Sequence, residues 1–555
     1  MKNHILFLFL LLPIPIFAQN PVYKNGMVVS AHPIASEIGT DILKKGGNAV
    51  DAAVAVQFAL SVVLPIAGNI GGGGFLVYRG ADGTYAALDY REKAPGAATE
   101  TMYLDQNGNP VNHMSLFGQL AAGVPGTVDG MVKAHEKYGK LSWKELLQPA
   151  VDLAENGFPV TEAQAREFTF SHSTFQKWNP EGTSFTIKKE WKKGDILVQK
   201  ELSRTLKIIQ KKGRNGFYKG KIASLIVDEM KTGNGIISLE DLKNYQSVWR
   251  TPVTGEYKDY TIISMPPPSS GGIALISLLH SVEGFPLNEW GFQSDSTVQI
   301  MVEAERRVYA DRAEHLGDPD FYNVPQEALI RKENSLKRMM PFSFDRATPS
   351  SEISASTFSP KEKEETTHYS IVDKDGNAVS VTTTLNGGFG SFVVVKGAGF
   401  ILNNEMDDFS VKPGSPNMYG LVGGKANAIG PGKRMLSSMT PTILEKNGKL
   451  FMVVRTPGGS TIITSVFQTI LNVVEFDKTI QEAVAAPRFH HQWLPDEVLM
   501  DKTSFSDSVR DILTQRGYKL TERTPWGRVD AILIKEDGSL EGGADPRGDD
   551  HVSGF

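Results

Sequence analysis

Thr366 and Thr367 open a run, Thr366-Thr367-His368-Tyr369-Ser370-Ile371-Val372, rich in β-branched and aromatic residues and read as a strand. Asp375-Gly376 follows, a strong hairpin signal, and a second run over 378–384 ends in Thr382-Thr383-Thr384. A turn centred on Asp375 sets Thr366 opposite Thr384. A threonine hydroxyl is a latent nucleophile, and a poor one without an adjacent base. The preceding segment, 348–365, is polar and charged and ends Lys361-Glu362-Lys363-Glu364-Glu365, so it is expected to be exposed and mobile. On pattern alone an ordinary loop entering an ordinary strand accounts for the junction, and facing threonines are a common cross-strand pair.

Other stretches carry groups that could serve such a hydroxyl. Pro457-Gly458-Gly459-Ser460 joins a strand ending near Arg455 to a helix over 460–472. Glycines at a strand-to-helix turn present backbone N–H groups where the helix dipole favours negative charge. Arg91 ends an early hairpin, a position where an arginine is usually solvated. Glu405, Asp407 and Asp408 have a spacing that fits no metal loop. Gly68-Asn69-Ile70-Gly71-Gly72-Gly73-Gly74 lacks the Lys-Ser/Thr of a phosphate cradle, so close backbone packing beneath a site is the expected role. Pro266-Pro267-Pro268-Ser269-Ser270-Gly271-Gly272 either binds an anion or shapes a turn. His490 and His491 are adjacent, point apart and match no zinc spacing, so they read as structural.

Four motifs, Thr366-Thr367-His368-Tyr369-Ser370, Asn403-Asn404-Glu405-Met406-Asp407-Asp408-Phe409-Ser410, Leu436-Ser437-Ser438-Met439 and Pro457-Gly458-Gly459-Ser460, resemble the γ-glutamyltranspeptidase (glutathione hydrolase) family. The likeness runs from about residue 28 to residue 555. It implies an N-terminal-nucleophile hydrolase that cuts its own chain between Glu365 and Thr366. The products would be a large subunit, 19–365, and a catalytic small subunit, 366–555, intertwined in one domain. It further implies an α+β fold, an αββα sandwich of two antiparallel sheets flanked by helices, with no cofactor and no catalytic metal. Cleavage turns the Thr366 amide nitrogen into an amine, whose usual pKa of about 7.7–8.0 suits a general base. Thr384 would orient Thr366, and the N–H groups of Gly458 and Gly459 would bind the oxyanion, at about 3 kcal/mol per donor.

By the same resemblance Arg91, Ser437 and Ser438 match carboxylate binders, and Asn386, Glu405 and Asp408 match ammonium binders. Opposite charges on opposite walls would select a zwitterion. Some relatives have Gln at the position of Glu405, which leaves the pocket's charge open. The Pro/Gly-rich stretch 412–424, with Tyr419, matches a lid over the pocket. Glutathione is the implied donor, and water, amino acids or dipeptides the acceptors. A cephalosporin or glutaryl acylase shares the implied fold and self-cleavage without needing the ammonium set. A periplasmic binding protein would have no use for the Thr-Thr junction.

These groups need rigid elements to hold them. Further hairpins are expected at 75–90 about Asp82-Gly83, at 439–455 about Asn447-Gly448 and at 529–540 about Asp537-Gly538. A helix over 35–45 is stopped by Gly46-Gly47, and Asn48 caps a second, 49–63, apolar all round and therefore buried. Ser142-Trp143-Lys144-Glu145 is a capping box, and 160–345 reads as mostly helical, with solvated basic runs.

At 555 residues, 40% hydrophobic, the chain can bury a large core. A net charge of −5 gives no reason to expect nucleic acid. Residues 1–18 read as a secretory signal, with Lys2 and His4 before an apolar run and Ala18 the last residue removed; an uncleaved anchor is the alternative, though the run is short for a span. The absence of cysteine excludes disulfides and thiol catalysis. Export without disulfides suits a bacterial periplasm or the outside medium.

Overall fold

The computed structural model describes residues 22–356 and 370–555. Two seven-stranded antiparallel sheets form its centre. One runs, in spatial order, His551–Gly554, Gly26–Ser30, Ser370–Asp373, Ala378–Thr384, Gly73–Arg79, Tyr85–Tyr90, Val248–Arg250. The other runs Val22–Tyr23, Leu540–Gly543, Asp530–Ile534, Lys449–Arg455, Thr442–Lys446, Tyr260–Ser264, Val253–Tyr257.

Both faces of each sheet are covered, and the two-residue period of the strands divides side chains between two apolar layers. Met27, Val29, Phe75, Val77, Val372, Ile443, Val453 and Ile532 meet between the sheets. Their neighbours Val28, Leu76 and Ile371 point outward, under the helices Pro33–Lys44 and Ala49–Val63. Leu444, Met452, Val454 and Ala531 face the opposite way, under Gly271–Val282, Asp295–His315 and Ile462–Val474. The result is the expected αββα sandwich.

Local chemistry sets the frame. Ser370 pairs with Ser380, Ile371 with Val379 and Val372 with Ala378, the register of a turn centred on Asp375. Asp373 holds that turn by accepting from the N–H groups of Asp375 and Asn377, both at 3.0 Å, and also accepts from Ala49 N (3.0 Å), fixing the start of a helix. The other three hairpins form about the expected residues. Asn48 and Ser142 both close capping boxes. The glycine run packs closely, as expected. A Cβ on Gly71 would strike the backbone of Ile401, on Gly72 the Thr384 carbonyl, on Gly73 the Glu92 carboxyl and on Gly74 the Thr382 carbonyl.

Two expectations need correction. The mostly helical stretch 160–345 also contains the strands Val248–Arg250, Val253–Tyr257 and Tyr260–Ser264, which extend both sheets. The described part of the segment expected to be exposed, 348–356, is partly buried: Thr348 is 9% and Ser350 2% exposed. Ser350 N donates to Asp496 (2.7 Å), its hydroxyl donates to Trp493 O (2.6 Å), and Ser356 N donates to Asp311 (2.6 Å). These acceptors lie far along the chain, so local polarity carried no sign of them. Among the described residues no helix is long and apolar enough to cross a membrane. The expected signal, 1–18, lies outside the described residues.

Gly72→Ala tests the close packing. The added methyl meets Thr384 O and, at 2.8 Å, Asn69 Oδ1, so the variant should lose about 1–3 kcal/mol of stability and melt at a lower temperature in calorimetry.

Candidate active site

One cavity of about 290 Å³ is lined by Arg91, Thr384, Asn386, Glu405, Asp408, Tyr419, Ser437, Ser438, Gly458 and Gly459. Every site residue singled out from the sequence is therefore in one place, except Glu365 and Thr366, which lie outside the described residues.

Thr384 ends its strand opposite Gly73, and its hydroxyl accepts from Asn386 N at 2.7 Å. Asn69 holds the strand end from behind, donating to Thr384 O (2.8 Å) and Thr383 Oγ1 (2.9 Å). Asn386 has φ +70°, a backbone state in which Asn is tolerated better than most residues, and its side chain donates to Asn404 O at 3.1 Å. Asn403 donates to Gly71 O (2.9 Å) and Gly123 O (2.8 Å), fixing the 3₁₀ turn Glu405–Asp408.

Gly458 and Gly459 adopt φ +145° and +58°, and neither N–H finds an acceptor among the described residues. Two donors thus border the cavity at a strand-to-helix turn. A Cβ on Gly459 would overlap the Tyr419 ring, so the second glycine also seats that tyrosine. Tyr419 belongs to the 412–424 loop; its hydroxyl donates to Asn386 O (2.9 Å), and Gln492 donates to its carbonyl (3.2 Å). Burial holds its phenol well above the ordinary pKa, so it stays a neutral donor.

Arg91 is fully buried. It pairs with Glu405, donates to Asp408 at 2.6 Å, and donates to the carbonyls of Met435 and Leu436, both at 3.3 Å. The opposite walls expected for the charges are not found, because arginine and carboxylates touch. An unneutralised guanidinium in this place would carry a large desolvation cost. Burial alone would lower the Arg91 pKa, and Glu405 and Asp408 more than offset it. Burial raises both carboxyls, with Arg91 opposing. Glu92, 3.9 Å behind Arg91, is pushed up to about 7 by burial.

Ser437 and Ser438 are braced by the Pro/Ser/Gly stretch. Ser270 N donates to Ser437 O (2.8 Å), while Arg312 bridges Ser270 Oγ and Ser438 Oγ, both at 2.9 Å. His490 and His491 are buried and structural. His490 joins Thr464 (2.8 Å) and Gln492 (2.9 Å), and burial lowers its pKa to about 3. Among the described residues no group of His, Asp or Glu is arranged to hold a metal.

Sequence reading missed Asn69, Glu92, Arg312 and Arg528, the last also on the cavity wall. Glu92 follows Arg91 directly, and that adjacency was its one available signal. Arg528 follows a lone Gly527 and carried none.

The gamma-glutamyltranspeptidase family model matches residues 35–555. The chain belongs to the γ-glutamyltranspeptidase family. It is 48% identical over 537 residues to the glutathione hydrolase proenzyme of Escherichia coli (strain K12), covering 96% of this chain and 92% of that one. The crystal structure of Helicobacter pylori γ-glutamyltranspeptidase matches with a TM-score of 0.59 at 47% identity, over 60% of this chain and 96% of the other. That of cephalosporin acylase from Bacillus halodurans matches with a TM-score of 0.85 at 26% identity, over 99% of each chain. For a γ-glutamyltranspeptidase family member, the cavity around Thr384 and the double glycine is the place to look for chemistry.

Glu92 gives a pH signature. Its folded pKa of about 7 exceeds the ordinary 4.5, so between those values the folded chain keeps a proton the unfolded chain has lost. Stability from this group therefore falls as pH rises through that window. Relative to Glu92→Gln, the wild type should lose melting temperature from about pH 5 to about pH 7.5. Parallel calorimetric curves for the two proteins would refute this.

Proposed function

We propose that the protein is a γ-glutamyltransferase and glutathione hydrolase. It cuts its own chain between Glu365 and Thr366 and then cleaves γ-glutamyl amides through a glutamyl ester on Thr366. The observation that carries this reading is the convergence on one cavity of the free N–H groups of Gly458 and Gly459, Thr384, and the Arg91–Glu405–Asp408 cluster.

The freed α-amine of Thr366 takes the hydroxyl proton as the oxygen attacks the γ-carbonyl. Gly458 and Gly459 donate to the oxyanion. Collapse breaks the amide bond, and the proton passes to the departing amine. Water or a second amine then attacks the ester, giving hydrolysis or transfer. Thr384 orients Thr366 across the hairpin.

The glutamyl head is a zwitterion. Its carboxylate takes Arg91, Ser437 and Ser438, and its ammonium takes Asn386, Glu405 and Asp408. Entering between touching partners, it gives each charge a replacement of the right sign, which compensates for the contacts it opens. A glutaryl group brings only a carboxylate and would leave Glu405 and Asp408 buried and unpaired, an expensive outcome. That weighs against an acylase, the second reading, favoured by the full-length likeness to cephalosporin acylase. Tyr419 closes over the bound head. The leader, 1–18, would direct export to the periplasm or medium.

Purified protein should show two fragments by intact mass, 19–365 and 366–555, and Thr366→Ala should remain one chain. An active, uncut wild type would end the proposal. In a parallel assay, release from a γ-glutamyl anilide should exceed that from a glutaryl anilide by more than about 100-fold. The reverse preference would establish the acylase.

A further inference from the structure

Arg528 lines the same cavity as Thr384 and the double glycine. It stands on the glycine side. Its N–H donates to Thr456 Oγ1 (2.9 Å), just before Pro457-Gly458-Gly459, and the Cα of its neighbour Gly527 lies 3.7 Å from where a Gly458 Cβ would be. The guanidinium is firmly held. Nε donates to Asp550 Oδ2 (2.8 Å) and Nη2 to Ala31 O (3.1 Å). Nη1 has no acceptor among the described residues, and the side chain keeps 25% exposure. Asp550 is 1% exposed, so the open part of the pair is the cation.

The two arginines of the cavity differ. Arg91 is enclosed, faces Glu405 and Asp408, and in the reading above takes the glutamyl head. Arg528 lies against the turn that in that reading receives the carbonyl oxygen, and among the described residues it makes no hydrogen bond to Glu405 or Asp408. A pre-positioned planar cation with a spare N–H suits a carboxylate.

We propose that Arg528 is the anion-binding group for the other side of the scissile bond. It engages the terminal carboxylate of the amine that leaves, or of the amino acid or dipeptide that arrives. This rests on the functional reading above and gives it a specificity element: amines ending in a free carboxylate are preferred to those ending in a neutral group. No new bond-breaking step is involved; Arg528 positions the amine while the ester forms or is consumed.

The test compares glutathione with its glycine-amide analogue, which differ only in that terminal charge. Wild-type kcat/KM should favour the free acid by about tenfold. In Arg528→Gln the ratio of the two kcat/KM values should fall to near one, and Arg528→Lys should keep part of the preference. If Arg528→Gln slows both substrates in proportion, so that the ratio is unchanged, the residue is structural and the inference is wrong. A wild-type ratio of one overturns it without any variant, so a poorly folding substitution does not protect it. Turnover of neither substrate by the cleaved wild type would sink the functional reading itself, a different failure from an unchanged ratio.

Discussion

A guanidinium with no access to solvent has to be neutralised where it stands. Meeting that need at Arg91 organises the cavity. Glu405 and Asp408 come from a 3₁₀ turn more than 300 residues away, and the carbonyls of Met435 and Leu436 come from the loop leading to Ser437 and Ser438. Asp408 also accepts from Asn417 (3.1 Å), at the base of the loop that carries Tyr419. One buried charge thus fixes the turn, the serine loop and the root of the tyrosine loop together. All three are irregular backbone, a 3₁₀ turn and two loops.

The strand that ends in Thr384 is seated by close approach of backbone instead. The glycine run brings one strand and its preceding loop against Thr382, Thr384 and Ile401, leaving room for Glu92 behind Arg91. Gly459 gives way to the Tyr419 ring. Charge neutralisation places Arg91, and missing side chains let the strand ending in Thr384 lie close beside it. The N–H groups of Gly458 and Gly459 find no acceptor among the described residues, and beside Arg91 Glu405 Oε2 and both Glu92 oxygens are likewise buried without a hydrogen-bond partner there.

What was legible in the sequence was local. Four turn dipeptides fixed four hairpins, and Asn48 and Ser142 announced their helices through bonds spanning three residues. The strands at 248–264 were hidden. Their pattern, as in Val253-Thr254-Gly255-Glu256-Tyr257, is weak, and they are strands because distant partners at 85–90 and 442–446 accept them. The grouping of the site residues came from family likeness, since no local rule links Arg91 to Glu405. Even then the likeness suggested separated charges, and only the fold revealed their contact. The burial of Ser350 was invisible for the same reason: Asp496 and Trp493 lie more than 140 residues on.

The order of strands has a mechanical meaning for a chain that is to be severed. In one sheet Ser370–Asp373 and Ala378–Thr384 lie between Gly26–Ser30 and Gly73–Arg79; in the other Thr442–Lys446 pairs with Tyr260–Ser264. Residues from before and after position 365 alternate like the fingers of two clasped hands. Ser356 is tethered to Asp311 on one side of the proposed break, and Ser370 to Val29 on the other. Scission would release a terminus without releasing a partner. Parting the two pieces would mean dismantling both sheets, so dissociation and denaturation become a single event.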